Sequence, residues 1–159
     1  MKWSKLRKLL KDRLADNLKN RLDYNLTTYT NSTGFIGRAW ITWDGKETIN
    51  FSNQDTWNQH QSYSNETAET HYISHKKIDD AERTEGNIIE KGEFSKYDFA
   101  ENAFKFLNIN VQDALKSDNI ILKALAVVDK KTGKRTLTEL SKLENHPMIK
   151  YLIELRLLS

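Results

Sequence analysis

Cysteine is absent from the 159 residues, and that one absence removes disulfides, thiolate nucleophiles and cysteine-built zinc sites, leaving stability to packing alone. Glycine occurs six times, scattered, and never in a GxxxxGK or GxGxxG frame, so the chain has no Gly-rich loop to cradle a nucleotide phosphate. No serine stands in GxSxG, which takes away the usual hydrolase elbow. No apolar run approaches the roughly 18 residues of a membrane span, and the N-terminus lacks the uninterrupted apolar stretch of a secretory signal. A cytoplasmic protein is therefore expected. Proline occurs once, at Pro147, so there is a single place where ring geometry can start a helix.

What remains is 38% hydrophobic and 30% charged, a balance that suits one soluble domain with a real core over residues 1–159. Net charge is only +3, too small to argue for nucleic acid by itself, but it is segregated. Residues 1–22 carry eight basic side chains against Asp12 and Asp16, and Lys123, Lys130, Lys131, Lys134 and Arg135 are opposed locally only by Asp129. The span from Asp44 to Glu101 is acidic overall.

The stretch FIGRAWITWDGKETINF, residues 35–51, is the one β-hairpin readable with assurance, with aromatic and β-branched runs flanking Asp44-Gly45. A two-residue turn would put Ile49 and Phe51 on one face with Trp40 and Arg38. A three-residue loop with a bulge at Gly45 gathers Phe35, Ala39, Ile41, Ile49 and Phe51 on one apolar face, and we prefer it for that reason. It leaves Trp40 on the opposite face, in need of a covering helix or a partner. Leu22, Tyr24 and Leu26 alternate as an earlier strand, completing three antiparallel strands.

Trp3, Leu6, Leu10, Leu14 and Leu18 recur at spacings of three and four, which predicts an amphipathic helix over 3–18. Residues 52–92 are polar and hold neither period, with a helix over Glu66–Arg83 stopped by Gly86 or Gly92 as one reading and a mobile segment as the other. After Gly92 the signals sharpen. Ser95 with Asp98 starts a helix at Lys96, with Phe94 stapled onto Phe99 and Phe99, Ala103, Phe104 and Leu107 buried. Asn110 with Asp113 caps a short helix, and Ser117 or Asp118 caps a more apolar one through Val128 that Gly133 ends. Thr136 with Glu139 opens another. Pro147 begins a last helix that is apolar almost all round, which must be covered by its own chain or serve as a homodimer surface. The fold class is α+β: an N-terminal helix, a three-stranded antiparallel sheet and a cluster of C-terminal helices.

These same segments, MKWSKLRKLLKDRLADNLKNRL, GRAWITWDGKE, FSKYDF, LKALAVVDKKTGKRTL and HPMIKYLIELR, resemble a family of small uncharacterised bacterial proteins. The resemblance implies a free-standing bacterial domain and supplies no catalytic residue to carry over.

Candidate chemistry is sparse. His71 and His75 would share a helix face with Asp79 a turn along, but the zincin glutamate is missing; no metal and no cofactor are expected. His146 beside Pro147 reads as a helix cap, and His60 has no motif. Lys130, Lys131, Lys134 and Arg135, with Trp40, are the candidate binding residues: the cations suit the phosphates of nucleic acid, or else serve the dipole at the end of the helix before them. The expected function is non-catalytic binding of a protein partner. Nucleic-acid binding through residues 123–135 is the alternative, and an enzyme with a site assembled only in three dimensions comes third.

Overall fold

In a computed structural model that describes residues 1–29, 36–52, 94 and 96–158, the predicted N-terminal helix, α1, spans Trp3–Asp12. It buries Leu6 and Leu10 as the spacing requires. The apolar stripe continues through Leu14 and Leu18, both fully buried, but not as helix. Leu14 bridges Asp129, the Lys130 amide donates to the Arg13 carbonyl at 2.8 Å, and the Ala15 amide donates to the Val128 carbonyl at 3.0 Å. Backbone groups bonded across the molecule cannot also serve an intrahelical ladder, so α1 ends where this pairing begins. Asn20, at φ 67°, adopts the left-handed conformation that asparagine tolerates and turns the chain toward the first strand.

Strands β1 (Leu22–Tyr29), β2 (Ile36–Trp43) and β3 (Lys46–Ser52) form one sheet in the order β1-β2-β3. Asp44 and Gly45 both have positive φ, 49° and 78°, the signature of a two-residue type I′ turn. The bulged register is therefore corrected. Trp43 and Lys46 flank the turn, so alternation puts Ala39 and Ile41 on one face, and Trp40, Ile49 and Phe51 on the other. Ala39, Ile41, Ile49 and Phe51 are all buried; both sheet faces carry apolar residues, and so concentrating them on one face was the wrong criterion.

The helices that follow are α2 (Lys96–Leu107), α3 (Val111–Leu115), α4 (Ile120–Val128), α5 (Lys134–Ser141) and α6 (Pro147–Leu157). The chain falls into two compact units. One comprises Met1–Asp23, Trp43–Gly45 and Glu101–Ser159; the other comprises Tyr24–Thr42 and Lys46–Ala100. In the second unit Phe51 stacks on Phe99 with ring centroids 4.8 Å apart, and Tyr24 and Phe94 add tilted contacts to Phe99 and Phe51. In the first, α4 packs on α3 and α6, and α6 also on α5. Arg21 ties the hairpin turn into this unit with a forked bond to Asp44 at 2.7 and 2.9 Å and its guanidinium 4.2 Å above Trp43.

The buried face of α2 is Phe99, Ala103 and Phe106, while Phe104 is 48% exposed. Positions i, i+4 and i+7 make one stripe, and Phe104 falls outside it. Asn110 caps α3 as expected, accepting from the Gln112 amide. Asn119, rather than Ser117 or Asp118, caps α4 by accepting from the Ile121 and Leu122 amides at 3.1 Å. Helix α4 stops at Val128, and Gly133 is the N-cap of α5, so Thr136 and Glu139 lie inside α5 and form no box. His146 caps α6 through Nδ1, with Pro147 in its first turn. Five apolar side chains of α6, from Met148 to Leu155, are buried within the chain. No helix among the described residues is long and apolar enough to cross a membrane.

Between α5 and α6, Glu144 accepts from Lys123 at 3.1 Å and from the Asn145 and His146 amides. Burial pushes its carboxyl up from the ordinary 4.5, but the His146 amide, Lys123 and the Asn145 amide together outweigh this and hold it lower. A carboxyl with a depressed folded pKa adds stability above its unfolded value, and that stability disappears as pH falls through the folded one. Glu144→Gln is expected to cost about 1–3 kcal/mol at neutral pH and to flatten the loss of stability below pH 4.5, read from denaturant unfolding across pH. The revised face of α2 is checked in the same assay: Phe99→Ala should cost about 3–5 kcal/mol and Phe104→Ala no more than about 0.5 kcal/mol.

Candidate anion-binding site

The turn from Asp129 to Thr132 joins α4 to α5 and carries Lys130 and Lys131. Asp129 is 1% exposed. Its carboxylate accepts from Arg13 Nε at 2.6 Å and from the Lys131 amide at 2.7 Å. Arg13 also donates to the Phe106 carbonyl at 3.3 Å, with its guanidinium 4.1 Å above the Phe106 ring. Thr132, equally buried, donates its hydroxyl to the Ala126 carbonyl at 2.6 Å. The turn is thus held from inside by groups that must pair once desolvated.

Arg156 completes the frame. It is the charged residue on the buried face of α6, 6% exposed, and its two terminal nitrogens each donate at 2.8 Å, one to the Val127 carbonyl and one to Thr132. Its buried Nε has no acceptor among the described residues. Burial pushes its pKa down, with Asp129 acting in the opposite direction. Asn17 closes the other side, its Nδ2 donating to the carbonyls of Leu155, Arg156 and Leu158 at 2.9 to 3.3 Å, which satisfies the C-terminal end of α6.

Beside this frame lies a pocket of about 340 Å³. Three cations line it: Lys130, Lys134 and Arg156. Asp16 is its one carboxylate, and Asn17, Ala15 and Leu158 supply the rest of the wall. Asp16 is paired with Lys19 at 2.7 Å, an interaction that holds its carboxyl below the usual range.

Of the sequence-derived candidates, Lys130, Lys131, Lys134 and Arg135 are all exposed and gathered on the turn and the first turn of α5. The helix before them has no basic residue within its own last turn; Lys130 and Lys131 follow its C-cap, Asp129. Lys130 donates to the Asp12 carbonyl at 2.9 Å, at the end of α1. Lys134 and Arg135 sit where a helix dipole disfavours cations, and α5 has no side-chain cap. Arg135 reaches Glu139 at 3.3 Å, an exposed pair of little energetic weight. Lys123 is tied to Glu144. Trp40 is half-buried and belongs to the other unit. His60, His71, His75, Asp79, Ser95, Phe35, the Glu66–Arg83 reading and its stops at Gly86 and Gly92 lie outside the described residues, as does nearly all of 52–92. Among the described residues no three His, Asp or Glu side chains converge as a metal site would require.

Sequence reasoning missed Arg13, Asn17, Thr132 and Arg156. Only Arg156 left a signal, a cation set among leucines at the end of a helix apolar nearly all round. Arg13→Ala would strand the buried Asp129 carboxylate and should cost about 3–5 kcal/mol, whereas Arg135→Ala should cost no more than about 0.5 kcal/mol; equilibrium unfolding of the two variants checks both.

No curated protein and no solved structure matches the chain. A family model does match, over residues 2–157, a range that takes in α1, the sheet and every C-terminal helix. The chain belongs to the SF0329 protein family.

Proposed function

We propose that this chain is a non-catalytic binding protein of the bacterial cytoplasm that docks an acidic protein partner through the Lys130–Lys131 turn and the first turn of α5. The observation that carries the reading is the cation placement: Lys134 and Arg135 stand at an uncapped helix start, where the dipole adds to their positive field instead of offsetting it. Their position makes no contribution to the helix, while an incoming carboxylate would meet both cations and backbone donors there. The supporting turn is anchored by Arg13, Thr132 and Arg156, so these charges are presented on a rigid base and little ordering entropy is lost on docking.

The same exposure favours a second reading, duplex DNA. Lys131, Lys134 and Arg135 are the cations not spent on the end of α1, and three phosphate contacts would give a log affinity against log salt slope of about −2.7.

Native extract passed over immobilised wild type and over the Lys131→Glu/Arg135→Glu variant separates these. Proteins retained by the wild type at physiological salt and lost with the variant are the expected result, with both forms melting within a few degrees of each other. An unchanged set of retained proteins overturns the docking surface. Duplex binding with a slope near −2.7, shallowed by about two units in the variant, would put the second reading first.

A further inference from the structure

The pocket beside the turn offers something that a docking surface does not need. It is concave, about 340 Å³, at the small end of sites that enclose metabolite-sized ligands. Its walls bring Lys130, Lys134 and Arg156 together against the single carboxylate of Asp16, which Lys19 already engages from the side. Three positive groups against one negative leave a surplus matching a dianion. Charge of one sign in a concave, partly apolar wall is felt more strongly than on open surface. Two of the three cations come from the rigid frame: Lys130 is braced on the Asp12 carbonyl and Arg156 on Val127 and Thr132. Arg156 is more than nine-tenths buried, and it retains a donor with no acceptor among the described residues. A buried cation behind the wall of a pocket makes added negative charge favourable there through its field, without direct contact. Lys134 adds the first residue of an uncapped helix, an orientation suited to phosphate oxygens. Ala15 and Leu158 offer an apolar wall to a small organic body.

We propose that this pocket binds a small phosphomonoester, its phosphate held by Lys130, Lys134 and the Arg156 side of the wall, with its organic part against Ala15 and Leu158. The inference goes beyond partner docking, because Lys131 and Arg135 do not line the pocket and either property can fail without the other.

The test is calorimetric titration of the full chain with glycerol 3-phosphate, inorganic phosphate and sulfate, paired with amide chemical-shift mapping. Saturable binding of glycerol 3-phosphate, tighter than that of inorganic phosphate and shifting amides near Asn17, Lys134 and Arg156, is expected. Affinity should fall between pH 7.5 and pH 5, as the phosphate loses its second charge near its pKa of about 6. Lys134→Gln should weaken binding about tenfold, the scale of one charge-assisted hydrogen bond. Asp16→Asn should tighten it, since it removes the one repulsive carboxylate from an exposed position where folding is unaffected. Arg135→Gln, outside the pocket, should leave it unchanged. Equal affinity for inorganic phosphate and glycerol 3-phosphate would overturn the apolar-wall assignment. No saturation, shifts confined to other regions, or equal weakening by Lys134→Gln and Arg135→Gln would overturn the site itself.

Discussion

The ion pair between Arg13 and Asp129 is the contact on which the unit built from α1 and the C-terminal helices depends. A carboxylate that is 1% exposed must be matched by charge or hydrogen bonds, and Asp129 is matched by both, through Arg13 Nε and the Lys131 amide. Satisfying it decides three other features. Arg13 must sit beside it, so α1 ends at Asp12. The Arg13 and Ala15 backbones pair with residues 128–130, so α4 is closed at Val128. And Arg13 lies over Phe106, which fixes the end of α2. The pair is costly to desolvate, and its value lies in the geometry it imposes.

That geometry connects packing to function. Arg156 lies on the buried face of a helix that packs on α4 and α5, and it spends two nitrogens on backbone carbonyls, those of Val127 in the last turn of α4 and Thr132 in the α4–α5 connection. The turn it supports cannot shift without stranding buried donors and acceptors. Lys130, Lys131, Lys134 and Arg135 therefore project from a stiff base, and the pocket beside them has walls set by the same bonds. Cations at the start of α5 weaken that helix slightly, so the helix itself gains nothing from their position.

Periodicity made much of the fold legible. The apolar stripe of α1, the alternation of β1, the Asp44-Gly45 turn, the Asn110 cap and the His146-Pro147 start of α6 are local features, and each was readable because neighbouring residues alone decide it. Errors came where a distant group intervened or two local solutions competed. Asn119 displaced Ser117 and Asp118 as the cap, with Asn102 bonded to its amide at 2.9 Å. Gly133 stands at the start of α5 instead of the end of α4, because Asp129 stops α4 four residues earlier. Phe106 took the buried place assigned to Phe104, a matter of which side of α2 meets the core.

Sequence alone determined the α+β order, the hairpin, most helix positions and the cluster of four cations, since those rest on spacing and on residue conformational preference over a few positions. Tertiary structure decided the rest: that Asp129 pairs with a residue more than a hundred positions away, that Arg156 is buried beneath the basic turn, and that Asp16 and Asn17 join Lys130 and Lys134 around one pocket. Charge attracts through space without regard to chain separation, so no window along the sequence contains that information.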